Sequence, residues 1–562
     1  MTKRKNSYAD FVTQTTPQAK QAHPKQVPNS AGGWSFKVDH WTQMQRFLIL
    51  GSADGTYYIQ PKELTLANME AVKTCLREDG LRAVQLIASV SWEGRAAKNS
   101  PAIFALALAA LPQYADPDTN RAARGAVSIV CRTATMLYEF CEIIQKIGKW
   151  NRGLRTAVAN WFLEMDTNKL AYQLVKYRQR DGWTARDVLR LCHVNSVGKP
   201  QQQAILRWAV TGKDGLGRRT VTRNADNMIT YGDVTEHLPA IIQAFETVQT
   251  LDIAKSKGND TVVTRLIREQ KLPREALPTA WLNDRGVWAA LLETMPVHAM
   301  VRNLATMTRV GLLETAWSDL VAVQMVIDKL TDPEEIKRSR LHPVAILAAA
   351  KTYAQGKGIR GSNTWKPNQR IVAALNDAFR LAFVNVKPYQ GRVQIAVDVS
   401  GSMNNTTVIG LEYVSAIEGA AALALPMLNA MPNAFTTAFN TGHVDMGLGA
   451  HMSLSEASNV INRTINGGTN CAAPIEWAEA GKRVVDLFVI LTDSESWAGG
   501  QHPFQALQRY RQNVNPNARL AVVAMCANEF SLGSPEDGGS IDLIGFDINT
   551  PLILEGFAQG DI

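Results

Sequence analysis

From Trp41 to Ala382 apolar positions recur at helical spacing, as in Pro101 to Leu111, Arg121 to Cys141 and Val344 to Tyr353, with short polar or Gly/Pro breaks between the runs. No stretch of this region alternates convincingly as a strand would, so the pattern predicts helix after helix. Helices joined by such short connections bury their faces mainly against their neighbours, which predicts helix pairs stacked as a solenoid, although no fixed sequence period marks the repeat. The pattern changes at Arg392. Val393 to Val397, Leu487 to Leu491 and Leu520 to Met525 are short, apolar and rich in β-branched residues, and helical stretches lie at Gly410 to Leu425, Ala472 to Ala480 and Pro503 to Arg511. Strand alternating with helix predicts a parallel sheet covered on both faces, its ligands bound where the strands end. Residues 1–35, rich in Gln, Thr, Pro, Ala and Lys, show no period; with little apolar surface to offset ordering entropy they read as a flexible basic arm. The expected fold is mainly α plus α/β, with an arm over 1–35, a helical domain over 36–385 and an α/β domain over 391–562.

At 562 residues the chain exceeds what one core supports, and its 46% hydrophobic and 20% charged residues are those of an ordinary globular protein. No apolar run approaches the roughly 18–20 residues of a membrane span, and the start, Met1 to Ser7, lacks the apolar stretch of a secretory signal. A soluble cytoplasmic protein is expected. The six cysteines, Cys75, Cys131, Cys141, Cys192, Cys471 and Cys526, form no C-x-x-C pair and have no histidine at zinc spacing, so they read as reduced core residues. The net charge of +8 is unevenly spread: from Gly391 onward seven Lys and Arg face seventeen Asp and Glu, leaving 52 basic and 34 acidic residues before it. A basic body implies contact with a polyanion, because phosphate neutralisation supplies most nucleic-acid affinity, although basic residues also simply solvate long helices.

Two basic stripes stand out. Treated as one helix, Asn168 to Arg180 places Lys169, Lys176 and Arg180 on one face, with Arg178 opposite, until Asp181-Gly182 breaks it. Thr184 with Asp187 resembles a helix cap, and the helix it opens aligns Arg186, Arg190 and His193. Further basic clusters occur at Lys146, Lys149, Arg152 and Arg155, and at Arg218, Arg219 and Arg223. Each taken alone is equally a solvated face, and His193 equally a helix-end residue; their co-occurrence in a basic body points to RNA.

In the C-terminal part the first strand runs into Asp398-Val399-Ser400-Gly401-Ser402. This D-x-S-x-S loop resembles that of the von Willebrand A family, whose metal-ion-dependent adhesion site adds a threonine and an aspartate from two later loops. Thr469 in Asn466-Gly467-Gly468-Thr469-Asn470 and Asp493 in Thr492-Asp493 match them. The resemblance implies Ser400, Ser402 and Thr469 as direct ligands of a divalent cation, Mg²⁺ being expected, with Asp398 and Asp493 acting through water. Hydroxyl ligands leave the ion much of its charge, so that it accepts an acidic group from a partner. The plainer reading makes the loop a helix cap.

The whole chain resembles the Ro autoantigen family, which joins a TROVE domain to a von Willebrand A domain. The resemblance rests on Arg46-Phe47-Leu48, Gly55 to Tyr58, Glu93 to Ala96, Pro101 to Leu106, Lys176 to Trp183, Leu189 to His193, Arg302-Asn303-Leu304, Leu341-His342-Pro343, Gly358 to Gly361, Gly467 to Cys471, Thr492 to Gly499 and His502-Pro503. It implies a ring of HEAT-like helical repeats closed by a Rossmann-like A domain. It also implies Y-like RNA on the outer surface, held by Lys176, Arg180, Arg190 and His193, single-stranded 3′ ends of misfolded RNA in a central hole, and an exoribonuclease as partner. Asn470 stands where the family often has an aspartate.

Three functions compete at this point. The first is an RNA-binding scaffold for non-coding RNA quality control, without catalytic residues of its own. The second is a metal-dependent adhesion or assembly module whose helical body is a spacer. The third is a metal-dependent hydrolase, for which His502 and Cys471 are the nearby nucleophile candidates; both read more easily as structural.

Overall fold

Helix starts are set by side-chain caps: Asp39, Asp79, Asp116, Thr133, Asn151, Asp166 and Asn368 each accept a hydrogen bond from a first-turn N–H that the helix leaves without an internal partner. The computed structural model describes residues 11–51, 61–96, 98–180, 182–213, 220–223, 229–232, 235–251, 258–314, 320–339, 341, 343–358, 363–382, 389–405, 416–452, 454–464, 466–526, 528–545 and 550–559. Successive helices lie side by side: His40–Leu50 on Pro61–Glu78, Gly80–Glu93 on Ser100–Ala109, Asn259–Gln270 on Arg285–Thr294, and Pro343–Ala354 on Gln369–Leu381. Their buried faces form one continuous apolar cluster that runs on into one face of the C-terminal sheet.

That sheet contains β7 (Val393–Asp398), β8 (Ala434–Phe439), β9 (His443–Val444), β10 (Leu487–Thr492), β11 (Arg519–Ala524) and β13 (Ser540–Ile544), in the order β13-β11-β10-β7-β8-β9. All pairs are parallel except the edge pair β8–β9. The helices Ala473–Ala480 and Pro503–Asn513 pack over its second face, around Phe488, Ile490, Leu520 and Val522. Strand order reverses beside β7, whose chain proceeds to β8 on one side while β10 pairs on the other. This is the crevice where α/β sheets place ligands.

Several sequence-based expectations change. Residues 11–35 are not a flexible arm: β1 (Gln26–Pro28) pairs with β2 (Trp34–Lys37), which pairs with β12 (Phe530–Ser531) of the α/β domain. Polar side chains hold this segment. Gln18, His23, Gln26, Asn29 and Ser35 are all buried, which is why its low hydrophobicity misled. Residues 1–10 lie outside the described residues. The helical region contains two hairpins, β3 (Gln179–Arg180) with β4 (Trp183–Thr184) and β5 (Thr220–Arg223) with β6 (Ile229–Gly232). The helix expected to reach Arg180 stops at Lys176. Arg121 to Cys141 divides among three helices, Pro117–Gly125, Val127–Val130 and Ala134–Ile147, the last newly capped by Thr133. The helix expected from Gly410 is seen as Ala416–Ala430, its predicted start lying outside the described residues. No helix among the described residues is long and apolar enough to cross a membrane, and all six cysteines are buried and free.

The helical run begins against the α/β domain, its first helix, His40–Leu50, packing on β13. At the starting end Arg46 is fully buried. Its guanidinium donates to the Asn528 carbonyl at 2.8 Å, to the Phe530 carbonyl at 2.8 Å and to the Asp542 carboxylate. Burial pushes the Asp542 carboxyl upward and Arg46 pulls it back. Removing one partner of a buried pair strands the other. Arg46→Ala is therefore expected to destabilise the protein by about 3 kcal/mol, and by less when Asp542→Asn is already present. Melting of the two single variants and the double variant measures this coupling; strictly additive losses would show that the seam does not depend on the pair.

Candidate metal centre and basic surface

Three loops meet where β7 and β10 end. Asp398, the last residue of β7, accepts from the Ser400 N–H at 2.9 Å and from the Thr492 hydroxyl at 2.6 Å, so the two neighbouring strand ends are tied through one carboxylate. The Ser400 and Ser402 hydroxyls lie 3.0 Å apart. The third loop is held by backbone bonds, Gly401 N–H to the Gly467 carbonyl, Asn466 N–H to Val399 and Asn470 N–H to Asn440. Gly468 is required by close approach, since a Cβ there would lie 2.3 Å from the Trp497 ring.

All five predicted ligand residues, Asp398, Ser400, Ser402, Thr469 and Asp493, are buried and converge here. Two of their atoms, Thr469 Oγ1 and Asp493 Oδ2, are buried with no hydrogen-bond partner, a costly condition that a bound hard cation with its waters relieves. Burial pushes the Asp398 carboxyl up to about 7, and the neighbouring Asp493 charge adds to the shift. Burial likewise raises Asp493, and it drives Glu495 up to about 9 with help from Asp493. Glu495, which the sequence reading missed, accepts from the Asn528 amide at 3.4 Å through Oε1 and leaves Oε2 buried without a hydrogen-bond partner. Its signal was present in Thr492-Asp493-Ser494-Glu495, an acidic residue two positions beyond a ligand on a strand-end loop. Cys471 is fully buried with its thiol pushed well above the usual range by burial, and His502 is bonded to Gln26 and the Lys20 carbonyl; both are structural in this fold.

The N-terminal segment grips these loops from outside. Gln18 donates to Asn470 Oδ1 at 2.7 Å and to the Gln501 carbonyl at 2.9 Å, and accepts from the Ser496 hydroxyl. Asn29 donates to the Ser496 carbonyl at 2.8 Å. Gly33 sits so close to the Ser496 carbonyl that a Cβ would come within 2.1 Å of it. Asn470, where an aspartate was expected, is thus a neutral partner for a neutral glutamine.

The helix Ala185–Cys192 opens on a capping box between Thr184 and Asp187. Val188, Leu189 and Cys192 are buried, while Arg186, Arg190 and His193 are exposed on the other face. His193 ends the helix in the left-handed region, φ 49°. The helix Arg152–Glu164 packs against it, and Arg155 lies near enough to Cys192 to act on its thiol. Half-buried Arg155 is therefore brought beside the helix that displays Arg186, Arg190 and His193, and exposed Lys149 and Arg152 stand at the start of its own helix. Arg180 is exposed in the β3–β4 hairpin, not on a helical stripe. Lys176 is half-buried between the Tyr172 and Tyr177 rings, 5.4 and 5.2 Å from their centroids, in a cleft with Lys271 and Arg274. The single stripe of Lys169, Lys176 and Arg180 does not form, because the helix ends before Arg180. Nearby, burial drives His298 down to about 4, with the Arg302 and Lys176 charges adding. Lys146 pairs with Glu142 at 2.9 Å. Arg218 and Arg219 lie outside the described residues, as does the side chain of Arg223.

Comparison with known proteins matches the TROVE domain family over residues 27–352 and the Ro60 vWA domain family over residues 392–558. The chain is 35% identical to the RNA-binding protein RO60 of Deinococcus radiodurans, across 97% of this chain and 98% of that one. It is 33% identical to the RNA-binding protein RO60 of Caenorhabditis elegans, across 96% and 90% respectively. The crystal structure of the Deinococcus radiodurans RO (RSR) protein superposes with a TM-score of 0.66 at 34% identity, covering 93% of this chain and all of that one.

The grip of Gln18 on the metal-site loops has a measurable consequence. Gln18→Ala removes the buried hydrogen bonds to Asn470, Gln501 and Ser496 at once and is expected to cost about 1–3 kcal/mol. Amide exchange should quicken at Trp497 and Ala498, whose N–H groups bond the Thr469 carbonyl, while the β10 amides stay protected. Unchanged exchange at those two amides would show that the segment rests on the loop without holding it.

Proposed function

The chain belongs to the Ro60 family, a TROVE domain joined to a von Willebrand A domain, and we propose that it is an RNA-binding scaffold and not an enzyme. In this reading Y-like non-coding RNA lies on the outer surface and single-stranded 3′ ends of misfolded RNA enter the ring, for quality control or decay with an exoribonuclease partner. The observation that carries it is that two sequence-distant helices bearing basic residues, one with Arg152 and Arg155 and one with exposed Arg186 and Arg190 ending at exposed His193, pack directly on each other. Guanidiniums displayed on neighbouring helix surfaces suit phosphates of a folded RNA, whose base edges are hard to reach in an A-form helix. Arg180 extends this surface from the hairpin, and Lys176 supplies positive charge to the adjoining cleft.

The metal reading rests on the orphaned Thr469 and Asp493 oxygens. Ser400, Ser402 and Thr469 would hold a divalent cation, Mg²⁺ by the hardness of the donors, with Asp398 and Asp493 behind water. Bound there, the ion would offer a positive centre to an acidic protein ligand. The three loops themselves exclude bulk water and hold the hydroxyls in place through Asp398 and the Gly467 backbone. The acidic charge of this domain supports a division of labour in which RNA stays on the helical body.

Two outcomes follow. In filter binding of a structured RNA across salt concentrations, Arg186→Ala with Arg190→Ala should weaken affinity and flatten the log–log salt slope by roughly 0.7–0.9 per lost phosphate contact; full affinity with an unchanged slope would reduce the patch to solvated surface. In calorimetry with Mn²⁺, Thr469→Val should lower cation affinity by about tenfold or more and leave RNA affinity unaltered. A collapse of RNA binding in that variant, shown to be folded, would contradict the division of labour.

A further inference from the structure

A cavity of about 610 Å³ opens beside the β3–β4 hairpin, bounded by the start of the helix Ala185–Cys192, the end of the helix Pro200–Thr211 and the helix Ala240–Thr250. Its size falls within the range of small-ligand pockets, roughly 300–1,000 Å³. Leu174 and Trp208 contribute apolar wall, Arg178 and Arg186 stand at its margin, and Glu246 lines it. The Arg178 guanidinium lies over the Phe245 ring, 5.2 Å from the centroid, so it is presented as a supported flat cation and not as a loose chain. Glu246 accepts from the Trp208 indole N–H at 2.7 Å, which fixes the carboxylate while using one of its roughly four lone-pair positions.

We propose that this cavity is a subsite for one unpaired guanine base of the bound RNA. The inference rests on the RNA-scaffold reading and deepens it. A fixed carboxylate in a partly enclosed pocket selects a partner with two adjacent donors. Guanine offers these in N1–H and the 2-amino group, whereas adenine and cytosine each set a ring-nitrogen acceptor beside their amino group and uracil flanks its single N–H with carbonyls. A supported guanidinium is a stacking surface for an unstacked base, the mode by which proteins read single-stranded RNA. Arg186 serves both features, since it borders the pocket and belongs to the exposed basic face. The phosphate of the same nucleotide can therefore be neutralised as its base enters. The sequence concealed the site because Arg178, Arg186, Trp208 and Glu246 come from four separate segments, and because a helix running to Arg180 would have turned Arg178 away.

The test uses one stem-loop RNA whose uridine loop carries a single G, and its counterparts with A or inosine there. The full chain should prefer the G loop over the A loop by at least about fivefold, the range of one bidentate base contact. Inosine, which lacks the 2-amino group, should fall between. Glu246→Gln keeps an acceptor for Trp208 but sets an amino group against the base, and should bind the G and A loops alike. Arg178→Ala should weaken both loops equally. Free GMP should displace the G stem-loop from the unaltered protein more effectively than AMP, a readout that requires no variant. Steeply salt-dependent binding of all stem-loops with no preference for G, and equal competition by GMP and AMP, would overturn the subsite and leave the scaffold standing. Failure of the unaltered protein to bind any stem-loop would overturn the scaffold reading itself.

Discussion

A buried guanidinium cannot escape its charge by losing a proton, so it is tolerated only where oxygens already wait for it. Arg46 occupies such a place, with the carbonyls of Asn528 and Phe530 and the carboxylate of Asp542 around it. These acceptors belong to the far end of the chain, and the first long helix is thereby fixed against the last domain. A stack of helix pairs leaves an apolar face at each end. Here the starting end is covered by the α/β domain, and a continuous core passes from the stack onto its sheet.

The same end of the molecule shows how polar residues do structural work. Gln18, Gln26 and Asn29 are buried where an apolar strap would ordinarily be expected, and their amides satisfy loops whose own backbone groups face outward from the strand ends. Those loops carry the candidate metal ligands, so the order of the cation site and the docking of residues 11–37 are parts of one hydrogen-bonded assembly. Electrostatics divides the molecule along the other axis. The basic excess lies in the helical body and the acidic excess in the α/β domain, which under the proposed function directs a polyanion to the former and frees the latter for a cation and its acidic partner.

Much of this was legible in periodicity. The three buried strands β7, β10 and β11 and the loops that follow the first two were identifiable because continuous β-branched runs ended in Asp, Ser and Thr. β8 was missed, since Ala434-Phe435-Thr436-Thr437-Ala438-Phe439 mixes hydroxyl and apolar residues evenly. The N-terminal segment was misread because its order comes from buried amides, which composition counts as polar. Arg180 was misplaced for a geometric reason: Tyr177 leaves the helical conformation, and past that residue a 100° periodicity has no meaning. The partnership of Arg155 with the His193 helix was invisible, as it depends on packing between helices some thirty residues apart.

The central claim is that RNA is held by the helical body and not by the α/β domain. Ultraviolet crosslinking of a structured RNA to the full chain, followed by mass spectrometry of the crosslinked peptides, tests it directly. The account predicts crosslinks within residues 149–193 and none on the loops at 398–402 and 466–502. Crosslinks concentrated on those loops, with residues 149–193 free of them, would contradict it.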